Sequence, residues 1–235
     1  YLSTNLSNTD SKNMVKSRTI VYTAKPRTLS SGPAGHEQHV IGLEQDAWCA
    51  YPCDLDGDGD MDVVASSSSP ISGKVLWYKN NGQQSFTATT IVSGSIAPGN
   101  VVVADIDSDG DMDIAYVDAM NGDIKWLQND GSENFSSQTV SSSVSVPQDL
   151  ATADIDADGD MDVVVGASGD STVSWFENNG SQSFTEHEII DDAENVQSVY
   201  IEDMDLDGDL DILAGTFSDD KIRLLTNNGE SDFSS

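Results

Sequence analysis

Five aspartates alternate along residues 54–62, DLDGDGDMD, and the same spacing returns at 105–113, 154–162 and 203–211. Alternate carboxylates converge on one point only if the backbone curls around it, and the glycine at position 6 of each segment permits that turn. Together with the backbone carbonyl of position 7, the carboxylates form an all-oxygen shell that suits Ca²⁺ better than Zn²⁺ or Mg²⁺. The sequence therefore predicts four calcium loops.

The candidate calcium ligands are the aspartates at positions 1, 3, 5, 7 and 9 of each loop. They are Asp54, Asp56, Asp58, Asp60, Asp62, Asp105, Asp107, Asp109, Asp111, Asp113, Asp154, Asp156, Asp158, Asp160, Asp162, Asp203, Asp205, Asp207, Asp209 and Asp211. A solvated acidic turn is the alternative interpretation. It is disfavoured because glycine at position 6 and aspartate at positions 1, 3, 5 and 9 recur in all four copies.

The loops open like an EF-hand but do not end like one. An EF-hand places a bidentate glutamate at position 12, where this chain has Ala65, Tyr116, Val165 and Ala214. The runs that follow position 9, such as DVVAS and DIAYV, are β-branched and apolar. Each loop is therefore expected to lead into a strand and not into a helix.

The chain is strongly acidic, with a formal net charge of −31 over 235 residues. The four loops hold 20 of its 41 acidic residues, and four bound Ca²⁺ ions would still leave a charge of −23. Such a charge argues against nucleic acid as a partner and against direct binding to an anionic membrane. With 37% hydrophobic residues, the chain has the composition of a folded protein and not of a disordered acidic tail.

The four predicted calcium sites indicate an extracellular protein, secreted or at the cell surface, because millimolar extracellular calcium fills even weak sites. No stretch approaches the ~20 apolar residues of a membrane span, and no signal-peptide core is visible, although a chain that begins at Tyr1 is compatible with a cleaved signal. Cys49 and Cys53 would lie ~13 Å apart in an extended strand. That distance favours free thiols over a disulfide unless Pro52 bends the chain.

The loops recur at intervals of 51, 49 and 49 residues, each within a unit that has the same order of elements. An apolar first strand leads into the loop, a second strand follows it, and a third strand ends at a dipeptide that favours a tight hairpin: Asn81-Gly82, Asp130-Gly131, Asn179-Gly180 or Asn228-Gly229. A fourth strand follows in the first three units. Four antiparallel strands in ~45 residues predict an all-β fold, a β-propeller of four-stranded antiparallel blades. The apolar inner strand of each blade is expected to be covered on both faces.

Aromatic residues also recur once in each unit. The third strands carry Trp77, Trp126, Trp175 and Leu224, and a phenylalanine follows each turn at Phe86, Phe135, Phe184 and Phe233. A row of rings for stacking sugars is one interpretation of the tryptophans. The core between blades is the favoured one.

The sequence divides into a polar N-terminal lead-in, residues 1–35, and a propeller, residues 36–235. Residues 18–25 are a candidate divergent third strand, and residues 37–41 resemble the fourth strand at 186–190. The last unit ends at Phe233, before its own fourth strand. Joining the two ends in one blade would close a four-bladed ring, and a fragment of a longer propeller is the alternative. The lead-in is a candidate for assembly contacts.

The D-x-D-x-D-G-x-x-D loops resemble those of the FG-GAP/VCBS propeller repeats, found in integrin α-subunit heads and in many secreted proteins. The resemblance covers roughly residues 36–235. It implies that each loop joins the first two strands of a blade and holds Ca²⁺ through the aspartates named above. Two features depart from the family pattern. Its propellers usually have about seven blades where this chain has four loops, and Pro52 removes a hydrogen-bond donor from an inner strand.

About four structural calcium ions are expected, because protein oxygens fill most of each shell and leave little room for a substrate. The leading hypothesis is a non-catalytic module for adhesion, assembly or recognition, with a protein or glycan partner at the cell surface or in the matrix. The alternatives are a lectin and an accessory domain of a secreted polysaccharide-degrading enzyme. A lyase activity is disfavoured because the chain offers few groups to abstract a proton or neutralise an anionic sugar. They are His36, His39, His187, Arg18, Arg27 and Arg223.

Overall fold

The computed structural model describes residues 17–22, 39–69, 71–94, 96–229 and 233–234, and within them the regular structure is entirely β. None of the described segments forms a helix suited to crossing a membrane. Eighteen strands build four four-stranded sheets and one two-stranded sheet. The prediction of an all-β chain of four-stranded antiparallel blades is confirmed.

Each blade consists of four consecutive strands. The first blade contains β3 (Ala47–Cys53), β4 (Asp62–Ser67), β5 (Gly73–Asn80) and β6 (Phe86–Gly94), and the second contains β7 (Pro98–Ala104), β8 (Asp113–Asp118), β9 (Asp123–Asn129) and β10 (Phe135–Ser141). The third contains β11 (Pro147–Ala153), β12 (Asp162–Ala167), β13 (Thr172–Asn178) and β14 (Phe184–Ile190). The fourth contains β15 (Val196–Glu202), β16 (Asp211–Thr216), β17 (Ile222–Asn227) and β18 (Phe233–Ser234). The remaining pair is β1 (Ser17–Tyr22) with β2 (His39–Gln45).

Burial within a blade is greatest on its second strand. In the first three blades β4, β8 and β12 are buried along their whole length, which suits their β-branched sequences. The first strands β3, β7, β11 and β15 contact one another in a row but keep partly accessible residues. The expectation that the inner strand is covered on both faces therefore holds for the second strand and not for the first.

Pro52 is accommodated because β3 is the edge strand of its sheet. It pairs in register with Val63, and the irregularity in this ladder lies between Ala47 and Cys49 instead. Cys49 and Cys53 are both free thiols, as predicted. Burial raises the pKa of the Cys53 thiol to about 12.

Neighbouring blades pack face to face and always in the same order. The forward face of a blade, which contacts the blade that follows it in the chain, carries the recurrent tryptophan. Trp77, Trp126 and Trp175 are 1–3% exposed, and each belongs to a cluster that includes apolar residues of the following blade. The interpretation of these tryptophans as inter-blade core is confirmed.

A carboxylate ties the inner strands of three blades together. Asp149 of β11 accepts a hydrogen bond from the Asn100 side chain of the second blade, and its Oδ2 accepts the Val199 amide of the fourth blade at 2.9 Å. Burial raises the pKa of this carboxyl. Similarly, the Ser66 hydroxyl of the first blade donates to the Gly99 carbonyl of the second at 2.7 Å.

The described residues form an open row of blades. On the forward face of the fourth blade Leu224 is 39% exposed and Ile222 is 85% exposed, whereas the equivalent residues of the third blade, Trp175 and Val173, are buried. The described residues do not show a ring closed through the segment at 37–41. Residues 37 and 38 lie outside the described part of the chain. Instead β2 pairs with β1, and β18 takes the fourth place beside β17.

The β1–β2 pair packs on the rear face of the first blade. Ile41 joins the cluster of Val63 and Tyr78, and the Tyr78 ring lies so close to Gly42 that a Cβ there would overlap it. The Lys74 ammonium adds an ion pair with Glu44 at 2.9 Å. Strand β1 lies in the predicted lead-in, whose other residues are outside the described part of the chain.

Candidate metal centres

Each acidic loop connects the first strand of a blade to the second. The loop begins directly after the first strand, and position 9 is the first residue of the second strand. The backbone turns twice through the left-handed region. One turn is at the position 6 glycines, with φ between 88° and 104°, and the other is at position 4, occupied by Gly57, Ser108, Ala157 and Leu206. This curl directs alternate side chains inwards, as the glycine pattern predicts.

The structure brings three carboxylates together in every loop. Ligand atoms within 4.8 Å of one another come from positions 1, 3 and 9 in three loops, and from positions 1, 3 and 5 in the first. The clusters are Asp54, Asp56 and Asp58; Asp105, Asp107 and Asp113; Asp154, Asp156 and Asp162; and Asp203, Asp205 and Asp211.

Positions 1 and 5 also shape the loop through hydrogen bonds. The amide of the position 6 glycine donates to the position 1 carboxylate, at 3.0 Å between Gly159 and Asp154 and at 3.2 Å between Gly208 and Asp203. The position 5 carboxylate accepts the amide of position 7, at 2.9 Å between Asp160 and Asp158. The loop therefore holds its own fold through these carboxylates, and in the last three loops both oxygens of position 1 accept backbone amides.

The position 9 aspartates, Asp62, Asp113, Asp162 and Asp211, are fully buried. The two oxygens of Asp162 accept the amides of Asn178 at 2.7 Å and Ile155 at 3.0 Å. Desolvation outweighs these bonds and raises the pKa of Asp113 and of Asp162 to about 6. Position 9 thus fixes the loop to the third strand and supplies a buried carboxylate to three of the four clusters.

The position 7 side chains lie outside the carboxylate clusters. Asp60, Asp111, Asp160 and Asp209 each pack against the glycine of the turn between the third and fourth strands, where a Cβ would meet the carboxylate. That turn is a five-residue loop in the first three blades and not a two-residue hairpin. In the first blade the Asn81 side chain accepts the Gln83 amide at 3.0 Å.

An asparagine at the end of each third strand is a site residue that sequence reasoning missed. The Asn178 amide donates to the Met161 carbonyl of its own loop at 3.1 Å and to the Ile106 carbonyl of the preceding loop at 3.2 Å. Asn129 and Asn227 make the same bonds to the preceding loops. The signal was available, because asparagine recurs at this point in all four units as Asn80, Asn129, Asn178 and Asn227.

The clusters have the chemistry of a site for a hard divalent cation. Their donors are carboxylates, and Asp54 Oδ1, Asp56 Oδ1 and Asp107 Oδ1 are buried atoms without a hydrogen-bond partner in the described structure. An uncompensated buried oxygen is costly, and a metal ion would satisfy it. The residues therefore fit a cation that prefers oxygen ligands.

A cleft of about 420 Å³ opens beside the first loop, between the first and second blades. Asp54, Asp56 and Glu133 are among its lining residues. The rings of Trp77 and Phe135 contribute an edge-to-face pair with centroids 6.3 Å apart. Because Trp77 is buried and Phe135 only partly so, the accessible aromatic surface beside these carboxylates comes mainly from Phe135.

A sequence model of the FG-GAP-like repeat matches residues 54–116, 109–165 and 154–214, so the matches run from the first acidic loop into the fourth blade. The chain belongs to the FG-GAP-like repeat family. The predicted resemblance is confirmed, and the repeats match at the loops and strands that form the carboxylate clusters. No curated protein sequence matches the chain.

Solved structures share the fold at low sequence identity. A lectin from Agrocybe aegerita, described for its specific recognition of non-reducing terminal N-acetylglucosamine, is 20% identical with a TM-score of 0.59, over 86% of this chain and 57% of the lectin. A protein from Lactobacillus plantarum is 10% identical with a TM-score of 0.59, over 93% of this chain and 66% of that protein. The chain spans less than two thirds of both structures.

Proposed function

We propose that this FG-GAP-like protein is a calcium-stabilised, non-catalytic recognition module that works outside the cell. The observation that carries the proposal is the recurrence of one carboxylate cluster in every blade, with unsatisfied buried oxygens in the first two loops. Family membership supports calcium as the cation. The extracellular location follows from the calcium concentration that such sites need.

The protein residues would use the cation to connect blades. Position 9 is anchored to the third strand, and the asparagine of that strand reaches the loop of the preceding blade. Calcium, when bound, would neutralise the repulsion among the carboxylates and so fix each loop. A fixed loop presents its backbone carbonyl to the asparagine of the following blade, and the blade junctions become rigid.

Calcium binding is tested by calorimetric titration of the chelator-treated protein with Ca²⁺, and separately with Mg²⁺. We expect about four Ca²⁺ per chain, a weaker response to Mg²⁺, and one site fewer in Asp107→Ala. A stoichiometry below two Ca²⁺ per chain would refute the proposal.

Glycan binding is a second candidate function. The cleft between the first and second blades supports it, since carboxylates accept sugar hydroxyls and aromatic edges pack against sugar rings. The shared fold with the Agrocybe aegerita lectin adds support. On a glycan array in calcium, we expect binding by the wild type and weaker binding by Glu133→Ala. Silence across the array would exclude the lectin function and leave a protein partner.

A further inference from the structure

The four loops are alike in their carboxylates but differ in the residue at one equivalent place of the third strand, which contacts position 3 in the first two blades. This neighbour is the second-last residue of the third strand, namely Lys79, Gln128, Glu177 or Thr226. In the second blade the Gln128 amide donates to Asp107 Oδ2 at 2.5 Å, and Gln182 of the third blade reaches the same oxygen at 3.3 Å. One oxygen of Asp107 is thus held by neutral amide groups, and no cationic side chain pairs with position 3 among the described contacts of this loop.

In the first blade the residue beside position 3 is a lysine, Lys79, whose charge is positive. The Lys79 ammonium contacts Asp56 Oδ2 and also pairs with Glu133 of the second blade at 2.5 Å. It lies 5.4 Å from the centroid of the Trp77 ring. These partners raise the pKa of Lys79, the hydrogen bond to Asp56 first, so the lysine stays charged.

In the third blade the equivalent residue is a glutamate, Glu177, whose charge is negative. Glu177 holds the place beside the third loop that Lys79 holds beside the first, because Phe176 pairs with Val163 of β12 as Tyr78 pairs with Val63 of β4. Its own oxygen pairs with His187 Nε2 at 2.6 Å, and the imidazole stacks on Trp175 with centroids 4.7 Å apart. Asp156 therefore stands in a more negative environment than Asp56.

We propose that the second-last residue of the third strand sets the calcium affinity of the adjacent loop, so that Lys79 makes the first loop the weakest site and Glu177 makes the third loop a tighter site than the second. The inference rests on the proposed calcium function. Lys79 competes with the cation for Asp56 and repels it, whereas Glu177 attracts it. The ion pairs are partly exposed, which limits the expected effect to ~5-fold in affinity per charge.

Four glycine amides can report each site separately, because each position 6 amide donates to the position 1 carboxylate of its own loop. They are Gly59, Gly110, Gly159 and Gly208. We would follow their amide resonances by NMR while the chelator-treated protein is titrated with Ca²⁺. We expect the Gly59 signal to reach its midpoint at the highest calcium concentration of the four. The Gly159 signal should reach its midpoint at a lower calcium concentration than the Gly110 signal.

Two substitutions test the charge dependence. Lys79→Gln gives the first loop the neighbour of the second and should lower the Gly59 midpoint ~5-fold, and Glu177→Gln should raise the Gly159 midpoint ~5-fold. Lys125→Gln is the control, since Lys125 pairs with Asp123 at 3.2 Å and touches no acidic loop. It should leave all four midpoints within ~2-fold.

The outcomes separate this inference from the function on which it rests. Equal midpoints for the four glycines, or a Gly59 midpoint that Lys79→Gln leaves in place, would overturn the inference while calcium binding stands. Glycine signals that do not respond to Ca²⁺ at all would overturn both.

Discussion

At the residue scale, the loops divide their aspartates among different tasks. Positions 1 and 5 hold the curl through backbone amides, position 3 carries unsatisfied buried oxygens in two loops, and position 9 joins the loop to the third strand. Position 7 contributes its side chain to none of the clusters. A nine-residue pattern therefore contains both candidate cation ligands and structural carboxylates, and substitutions at different positions should have different effects.

The matched pair Asp162→Asn and Asp160→Asn tests this division within one loop. Asparagine at 162 would turn an N–H donor towards a backbone amide in a buried site, which costs about 1–3 kcal/mol even without calcium. Asparagine at 160, beside the turn glycine, should change stability by less than ~0.5 kcal/mol in chelator. Urea unfolding in chelator measures both. Equal losses for the two variants would contradict the assignment.

The buried position 9 carboxyls also predict a pH dependence of the calcium-free protein. The pKa values of Asp113 and Asp162 are raised to about 6 in the folded state from an ordinary value of 3.8. The folded state therefore binds more protons than the unfolded chain between about pH 6 and pH 4, and its stability should rise as pH falls through this window. Thermal unfolding in chelator at pH 7 and pH 5 should show the higher Tm at pH 5. A lower Tm at pH 5 would contradict the prediction.

At the element scale, stability depends on the contacts between one blade and the next. In the first three blades the tryptophan of the third strand packs against the following blade. In the second to fourth blades the asparagine at the end of that strand bonds to the preceding loop. Strand, loop and junction thus form one unit that repeats.

Asn178→Ala tests the asparagine contact. The change removes donors to the Met161 and Ile106 carbonyls and should cost about 1–3 kcal/mol, with increased hydrogen exchange at the junction of the second and third blades. Gln138→Ala on the exposed face of β10 is the control and should be nearly neutral. If both variants unfold at the same urea concentration as the wild type, the asparagine does not connect the blades.

The β1–β2 pair offers a second test at this scale. Gly42→Val would push β2 off the Tyr78 ring, with an overpacking cost of about 1–3 kcal/mol. We expect faster hydrogen exchange in β2 and around Tyr78 than in the fourth blade. Leu43→Val changes an exposed neighbour in the same strand and should leave exchange as in the wild type. Unchanged exchange in Gly42→Val would show that β2 does not depend on this contact.

Sequence reasoning predicted the strands and loops better than it predicted the pairing between distant strands and the contacts between blades. Strand type, loop position and the core role of Trp77, Trp126 and Trp175 follow from local periodicity and recurrence, which the sequence contains directly. The pairing of β2 with β1 and of β18 with β17 depends on competition among distant strand edges, which periodicity does not encode. The recurrence of the asparagine was visible in the sequence, but its partner was not, because the Asn178 bond to Ile106 and the Lys79 bond to Glu133 join residues of different units.

At the scale of the whole molecule, the net charge of −31 lowers the stability of the folded protein when no cations are bound in the loops. Twenty aspartates lie in the four loops, and like charges at short range destabilise the folded state. We expect the same loops to stabilise the row of blades once cations are bound. The proposed calcium sites therefore predict that folding and calcium binding are linked across the molecule.

The most direct measurement is thermal unfolding of the protein in excess Ca²⁺ and in excess chelator. A site filled at a hundred times its Kd adds about 2.7 kcal/mol, and four such sites together would rival the net stability of an ordinary domain. We predict a Tm at least ~15 °C higher in Ca²⁺ than in chelator. Equal Tm values in the two conditions would contradict the proposal that calcium in the acidic loops stabilises the contacts between blades.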